Sequence, residues 1–354
     1  MHPLLLNDVD RDCFATLCRN HDATTLGTRP RGPKEGGEGI DEATFVYNGR
    51  GGRIVRDSMT NLATPERLLE YGVVGVDVLV GGMPCQSFSH AGQRKGLDDS
   101  RGQLLLEFAE LIRLAQPKAF LVENVRGLMT HDGGRTLQSV LGVLSIDGAY
   151  TVYHALLNAW DYGVPQKRER IFIVGVLSSG PLCAHKQFAF PAPRAAPRLT
   201  LRDVLLPVGR QEKDGGTQYS ANKRAILELI PPGGCWVDLP TEELKSAYMG
   251  KSYHASGGRR GVLRRLSLDR PAPTLLCNPQ AKQSELCHPL EIRPLSVREY
   301  ARIQSFPDSH AFCGSIANRY KQIGNAVPVN MAYHVGLAIQ TCLADVRDRG
   351  RVGA

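Results

Sequence analysis

The sequence predicts an α/β protein: a doubly wound, mainly parallel sheet with a smaller, loop-rich region appended. Three observations predict it. Short apolar runs alternate with helically spaced segments through the first half of the chain, the pattern of a sheet covered by helices. Two of those runs, Val76 to Val80 and Ala119 to Val122, lack the polar alternation of a half-exposed strand, as strands buried on both faces do. Near Gly180 the character changes to proline- and arginine-rich stretches with little periodicity.

In order, Leu4 to Leu6 predicts a first strand, and Cys13 to Arg19 carries apolar residues at helical spacing. Residues from about Thr24 to Gly52, rich in Gly, Arg, Lys and Glu, read as a surface insertion. The strand Val76 to Val80 follows, then a helix over Gln103 to Leu114, the strand Ala119 to Val122 and a helix over Arg135 to Leu144. Strands near Val152 to Leu157 and Ile171 to Leu177 close this half. Pro191, Pro193, Pro197 and the run Pro231-Pro232-Gly233-Gly234 punctuate the next region, where Arg259, Arg260, Arg264 and Arg265 form a basic patch. A charge run is usually a solvated face, but in a basic chain it also suits contacts to nucleic-acid phosphates. Leu295 to Gln304 then reads as helical, and Pro328 to Leu343 as a final helix with an apolar stripe.

A chain of 354 residues with 42% hydrophobic content can bury a large core, and a formal charge of +8 suits a polyanionic partner. The nine cysteines are scattered, with no CxxC pair and no His/Cys cluster at zinc spacing, so reduced thiols are expected and no metal is called for. No apolar stretch is long enough to span a bilayer and no basic-then-apolar leader opens the chain. The expectation is a cytoplasmic protein without membrane partners.

Cys85 lies in Gly-Gly-Met-Pro-Cys-Gln-Ser-Phe-Ser, residues 81–89, just past an apolar strand. Most free cysteines are buried structural thiols. Here Pro84 fixes the turn, and Gly81 and Gly82 allow close approach of backbone to a ligand. The second apolar strand runs directly into Glu123-Asn124-Val125. Strand carboxyl ends are where open α/β sheets carry their chemistry, so a nucleophile and an acid are expected side by side.

With three further segments, the chain resembles the bacterial DNA cytosine-5 methyltransferases of restriction-modification systems. Pro84 to Ser89 resembles the family's nucleophile motif, Glu123 to Val125 its cytosine-binding acid, and Gln166-Lys167-Arg168-Glu169-Arg170 its arginine motif. Arg293 to Asp308 and Gln322 to Pro328 resemble its two C-terminal motifs. The resemblance implies a Rossmann-like S-adenosylmethionine-dependent methyltransferase sheet over residues 1–177, a target-recognition domain over 178–291 and a return to the catalytic domain over 292–354.

The implied activity is methylation of carbon 5 of cytosine in a specific site of double-stranded DNA. Cys85 would add to carbon 6, and Glu123, kept protonated by burial, would serve ring nitrogen 3. Arg168 would bind the cytosine carbonyl oxygen, with Arg170 a second support. A base stacked in a duplex cannot reach such a site, so base flipping is implied. Asn124, Gln86, Ser89 and Arg101 are then substrate-binding candidates, and 87–101 resembles a loop that closes over DNA.

For S-adenosylmethionine the resemblance implies Asp8 on the ribose, Val9 in place of an adenine-stacking tryptophan, Asp57 on the adenine amino group, and Pro84, Asn325 and Val327 around them. The family's Gly-rich first cofactor motif does not precede Leu4. Three explanations compete: a start placed too late, which this reading favours; a second polypeptide that supplies the motif; or a chain that no longer binds cofactor. The alternatives carried forward are therefore a split-enzyme or non-catalytic DNA-binding subunit, and a tRNA cytosine-5 methyltransferase.

Overall fold

A computed structural model of the chain describes residues 4–29, 40–47, 50–82, 100–178, 187–205, 215–254 and 258–349. Packing divides the chain into two compact units. One comprises Met1–Asn158, Glu169–Ala192 and Ala332–Ala354; the other comprises Ala159–Arg168 and Pro193–Met331. The chain thus leaves the first unit twice, and helices expected to return to it from residue 292 onward belong to the second until Ala332.

The first unit holds two four-stranded sheets. One runs β1-β4-β3-β2, from β1 (Leu5–Asn7), β2 (Thr24–Arg29), β3 (Ile40–Tyr47) and β4 (Arg50–Arg56). The segment read as a surface insertion is therefore mostly strand. Its Gly and charged residues hid Ile40, Ala43 and Phe45, which are buried. Antiparallel pairing from Tyr47↔Arg50 to Asp41↔Arg56 supplies what local pattern lacked. β1 pairs with β4 in parallel, Leu5↔Arg53 to Asn7↔Val55.

The other sheet runs β5-β6-β8-β7, from β5 (Val78–Gly82), β6 (Ala119–Val125), β7 (Tyr150–Asn158) and β8 (Glu169–Leu177). β5 and β6 are parallel, whereas β8 is antiparallel to both of its neighbours. The sheet is thus mixed, and each parallel pair delivers its two carboxyl ends to one edge. Among the described residues β1 pairs only with β4 and β5 only with β6, so each sheet has one open edge made by a parallel strand.

Helices α1 (Arg11–Asn20), α2 (Met59–Leu62), α3 (Pro65–Glu70), α4 (Ser100–Ala115), α5 (Gly127–Thr130) and α6 (Arg135–Leu144) connect these strands. Asp10 caps α1 by accepting from the Asp12 and Cys13 amides, and Ser58 and Thr64 cap α2 and α3. α4 and α6 cover one face of the second sheet, burying Phe108, Ile112, Leu137, Val140 and Leu144 with Phe120, Val122, Ile171 and Ile173. Leu111 and Ala115 of α4 also join Leu5, Val55, Leu68 and Val73. One helix therefore packs on residues attached to both sheets.

The second unit contains α7 (Arg202–Leu205), α8 (Ala221–Glu228), α9 (Glu242–Met249), α10 (Val297–Ile303) and α11 (Ile316–Asn325), joined by long irregular segments. Two apolar clusters hold it. One gathers Leu201, Leu266, Leu275, Tyr300, Ile303, Tyr320 and Ile323. The other gathers Leu227, Ile230, Leu239, Met249, Val262 and Leu263. The final helix, α12 (Val329–Arg349), lies in the first unit from Ala332 on.

Candidate active site

Parallel pairing of β5 and β6 runs from Val78↔Ala119 to Gly82↔Glu123. The carboxyl end of β5 is thereby level with Glu123, three residues before Cys85. Gly81 is required here, because a Cβ on it would overlap the ring of Phe108. Pro84, Cys85, Gln86 and Ser89 lie outside the described residues. Arg101 falls in the first turn of α4, so the expected closing segment ends in a helix.

Glu123 meets Arg170 of β8, whose Nε is 2.9 Å from Oε1; the two side chains are only 17% and 13% exposed. The register explains the meeting. Glu123 lies opposite Phe172, and Arg170, two residues along the antiparallel strand, projects from the same face. The Arg170 Nη1 also donates to the Glu169 carbonyl at 2.8 Å, while the Glu169 carboxylate pairs with Arg126 at 2.7 Å. The guanidinium lies against the carboxylate and orients it. Asn124 is buried, and its side-chain oxygen accepts from the Val125 amide at 2.8 Å.

The other parallel pair delivers two carboxylates. Asp8 follows β1 and Asp57 follows β4, and the Asn7 side chain ties these ends together by donating to the carbonyls of Val55 and Asp57 at 3.1 and 2.9 Å. Asp8 accepts from the Asp10 amide at 2.8 Å. Asp57 is buried and accepts from the Ser58 amide and the Asn61 side chain at 2.7 and 2.8 Å. Val9 is 66% exposed. A carboxylate at a strand end suits the hydroxyls of a ribose, and Asp8 has that position. Asn325 and Val327 belong to the second unit, where Cys277 Sγ donates to Asn325 Oδ1 at 3.1 Å.

A sequence model of the C-5 cytosine-specific DNA methylases matches residues 38–341. The chain belongs to that family. It is 49% identical over 267 residues to the type II methyltransferase M.Sau96I of Staphylococcus aureus, covering 75% of this chain and 60% of that protein. It is 46% identical over 279 residues to M.Eco47II of Escherichia coli, covering 77% and 66%. The chain thus spans somewhat under two thirds of the length of these relatives. Among solved structures, that of the Schizosaccharomyces pombe Dnmt2 methyltransferase superposes with a TM-score of 0.58 over 96% of this chain and 90% of that one, at 13% identity. An Entamoeba histolytica methyltransferase, EhMeth, gives 0.59 over the same shares, also at 13%. These likenesses show the fold: the S-adenosylmethionine-dependent methyltransferase fold.

Arg168, expected at the base carbonyl, is enclosed elsewhere in this chain. β8 begins at Glu169, so Arg168 lies in the preceding turn, within the second unit. It is 1% exposed, and its Nη1 and Nη2 donate to the carbonyls of Leu275 and Gly324 at 3.0 and 2.8 Å. Gln166 works beside it, donating to Gln304 Oε1 at 2.8 Å and accepting from the Leu275 amide at 3.0 Å. Gln304 donates in turn to the carbonyls of Ile323 and Ala326. The arginine motif therefore divides: its first half clamps backbone, and Arg170 faces the acid.

Sequence reasoning missed Gln304 as a partner of this clamp and missed a buried ionic cluster. Glu299, fully buried, receives both Nη groups of Arg293 at 2.7 and 2.8 Å and also caps α10 through the Ser296 amide. His288 Nε2 lies 3.5 Å from the same carboxylate. Burial pushes the Glu299 pKa up, but Arg293 and His288 outweigh it and hold it below the ordinary value. The sequence did signal α10, through Ser296 and Glu299 at capping-box spacing. It gave no signal for an arginine folding back across six residues.

Proposed function

We propose that this chain methylates carbon 5 of cytosine in a specific site of double-stranded DNA through a covalent Cys85–cytosine intermediate. The observation that supports this most is the meeting of Glu123 and Arg170 at a strand end level with the approach to Cys85. Carbon 5 of cytosine is a poor nucleophile until the ring is activated. Addition of the Cys85 thiolate to carbon 6 places electron density on carbon 5. The same step drives charge onto ring nitrogen 3 and the carbonyl oxygen. Glu123 delivers a proton to nitrogen 3, and Arg170, rather than Arg168, stabilises the carbonyl oxygen while keeping the carboxyl oriented. Asp8 would hold the ribose and Asp57 the adenine of S-adenosylmethionine, which when bound would supply an electrophilic methyl group. Transfer leaves S-adenosylhomocysteine; water then takes the carbon 5 proton, the nitrogen 3 proton returns to Glu123, and expulsion of the thiolate regenerates the double bond and frees Cys85. The target base is flipped out of the duplex, at about a few kcal/mol.

The open edges of β1 and β5 favour a second form of this reading, in which another polypeptide supplies a strand that the cofactor half needs. An exposed strand edge presents unpaired backbone groups that a further strand can satisfy. One experiment separates the forms. Purified chain is given tritiated S-adenosylmethionine with duplex DNA, with transfer RNA, and with duplex DNA containing 5-fluorocytosine, and Cys85→Ser is the control. Methylation of duplex DNA and a Cys85-dependent adduct are expected. Label in transfer RNA alone would overturn the DNA reading. Sequence-specific DNA binding without label, restored by a second polypeptide of the same system, would establish the split form.

A further inference from the structure

The proposed function leaves open which residue reads the DNA sequence, and the second unit holds an arginine suited to it. Its backbone from Gly258 to Leu266 is fixed on several sides. The Val262 carbonyl accepts from Trp236, Gly261 from Glu285 and Arg264 from Cys287, while the amides of Arg265 and Leu266 donate to Gly234 and Cys287. Val262 and Leu263 are buried, and Arg259 and Leu263 hold left-handed conformations at φ 39° and 49°. A Cβ on Gly261 would overlap the Gln283 carbonyl. This is a rigid platform, not a pliant basic loop.

The two arginines that leave it differ. Arg265 points inward, donating from Nη1 to the Ile230 carbonyl at 2.9 Å. Arg264 is half-buried, with Nε pinned to the Arg260 carbonyl at 3.2 Å. No carboxylate among the described residues pairs with it. Burial lowers its pKa, and Cys235 offsets part of that effect. With Nε taken, the two Nη groups remain as donors, Nη2 lying close to Gly261.

We propose that Arg264 reads a guanine in the recognised DNA, its two Nη groups donating to O6 and N7 in the major groove. This rests on the methyltransferase reading above. A fork of two donors matches that edge of guanine, whereas the other base pairs present different patterns. Phosphates occur at every position, so an exposed arginine such as Arg260 or Arg270 is sufficient for them. A pinned, half-desolvated cation discriminates, because a wrong base leaves it without a partner.

The test selects bound sequences from a pool of random duplexes with the full chain, with Arg264→Ala and with Arg264→Lys. Each guanine of the enriched site is then replaced by 7-deazaguanine, which lacks the N7 acceptor. One guanine is expected to weaken binding about tenfold when so replaced in the wild type and to have no further effect in Arg264→Ala, whose selected sites lose preference at that pair. Should Arg264→Ala fold poorly, Arg264→Lys and the wild-type 7-deazaguanine scan still decide. The proposal is overturned if no guanine in the site is sensitive. It is equally overturned if the variant selects an unchanged site with uniformly weaker binding and a salt slope shallower by about one, the mark of a phosphate contact. A wild type that enriches no sequence would overturn the DNA-methyltransferase reading itself.

Discussion

Arg168 and Arg170 are two residues apart and chemically identical, yet the fold gives them opposite surroundings. Arg168 is enclosed and holds two carbonyls, one of them 156 residues away in sequence. Removing it leaves buried acceptors and a cavity, so Arg168→Ala is expected to lose about 3 kcal/mol or more of stability, seen as a lower unfolding midpoint. Arg170→Ala is also expected to lose stability, since it strands the mostly buried Glu123 carboxylate, but less than Arg168→Ala, because Glu123 keeps 17% of its side chain open to water. Its methyl transfer should fall by about 100-fold or more, as when a preorganised donor to developing charge is removed. Thermal unfolding beside single-turnover methylation checks both. If Arg168→Ala folds normally and only Arg170→Ala unfolds, the assignments are reversed.

At the scale of elements, strand pairing and helix caps decide where chemistry can occur. The α10 cap depends on buried Glu299, and its neighbour His288 is held neutral by burial more strongly than Glu299 draws it toward charge. Both groups have folded pKa values below their ordinary ones, 6.5 for the histidine and 4.5 for the carboxyl. In each case the unfolded chain binds the proton first as pH falls. Stability is therefore expected to be full above about pH 6.5, to decline below it as His288 titrates in the unfolded chain, and to fall further below 4.5 as Glu299 does. Denaturant midpoints from pH 8 to 4 test this; a flat profile would remove the cluster from any stabilising role. Arg293→Met should cost about 3–5 kcal/mol, because it strands a buried carboxylate. Gly324→Ala tests the clamp in another way. Its Cβ would lie 2.6 Å from the Leu276 carbonyl oxygen, and overpacking against backbone costs about 1–3 kcal/mol.

For the whole chain, the open edges matter most. Val80 of β5 is 64% exposed, although its strand is apolar and its neighbour β6 is buried along most of its length. β1 likewise has a partner on one side only among the described residues. Edges of this kind invite further strands. Amide hydrogen exchange on the chain is expected to be fast along β1 and β5 and slow along β6 and β8. Slow exchange at β5 would mean that its outer edge is already covered.

Sequence alone determined the order of the chemistry. An apolar run followed by Gly-Gly-Met-Pro-Cys, and another followed by Glu-Asn-Val, is local information, because strand identity and what comes after it are both written along the chain. It also marked α1, α4, α6 and α10, whose apolar spacing is local. Tertiary structure decided the rest: that residues 24–29, 40–47 and 50–52 pair as strands, that β8 runs antiparallel, and that Arg170 rather than Arg168 lies against Glu123. Each of these depends on register between segments far apart in sequence, where moving a strand's start by one residue turns a side chain from acid to carbonyl.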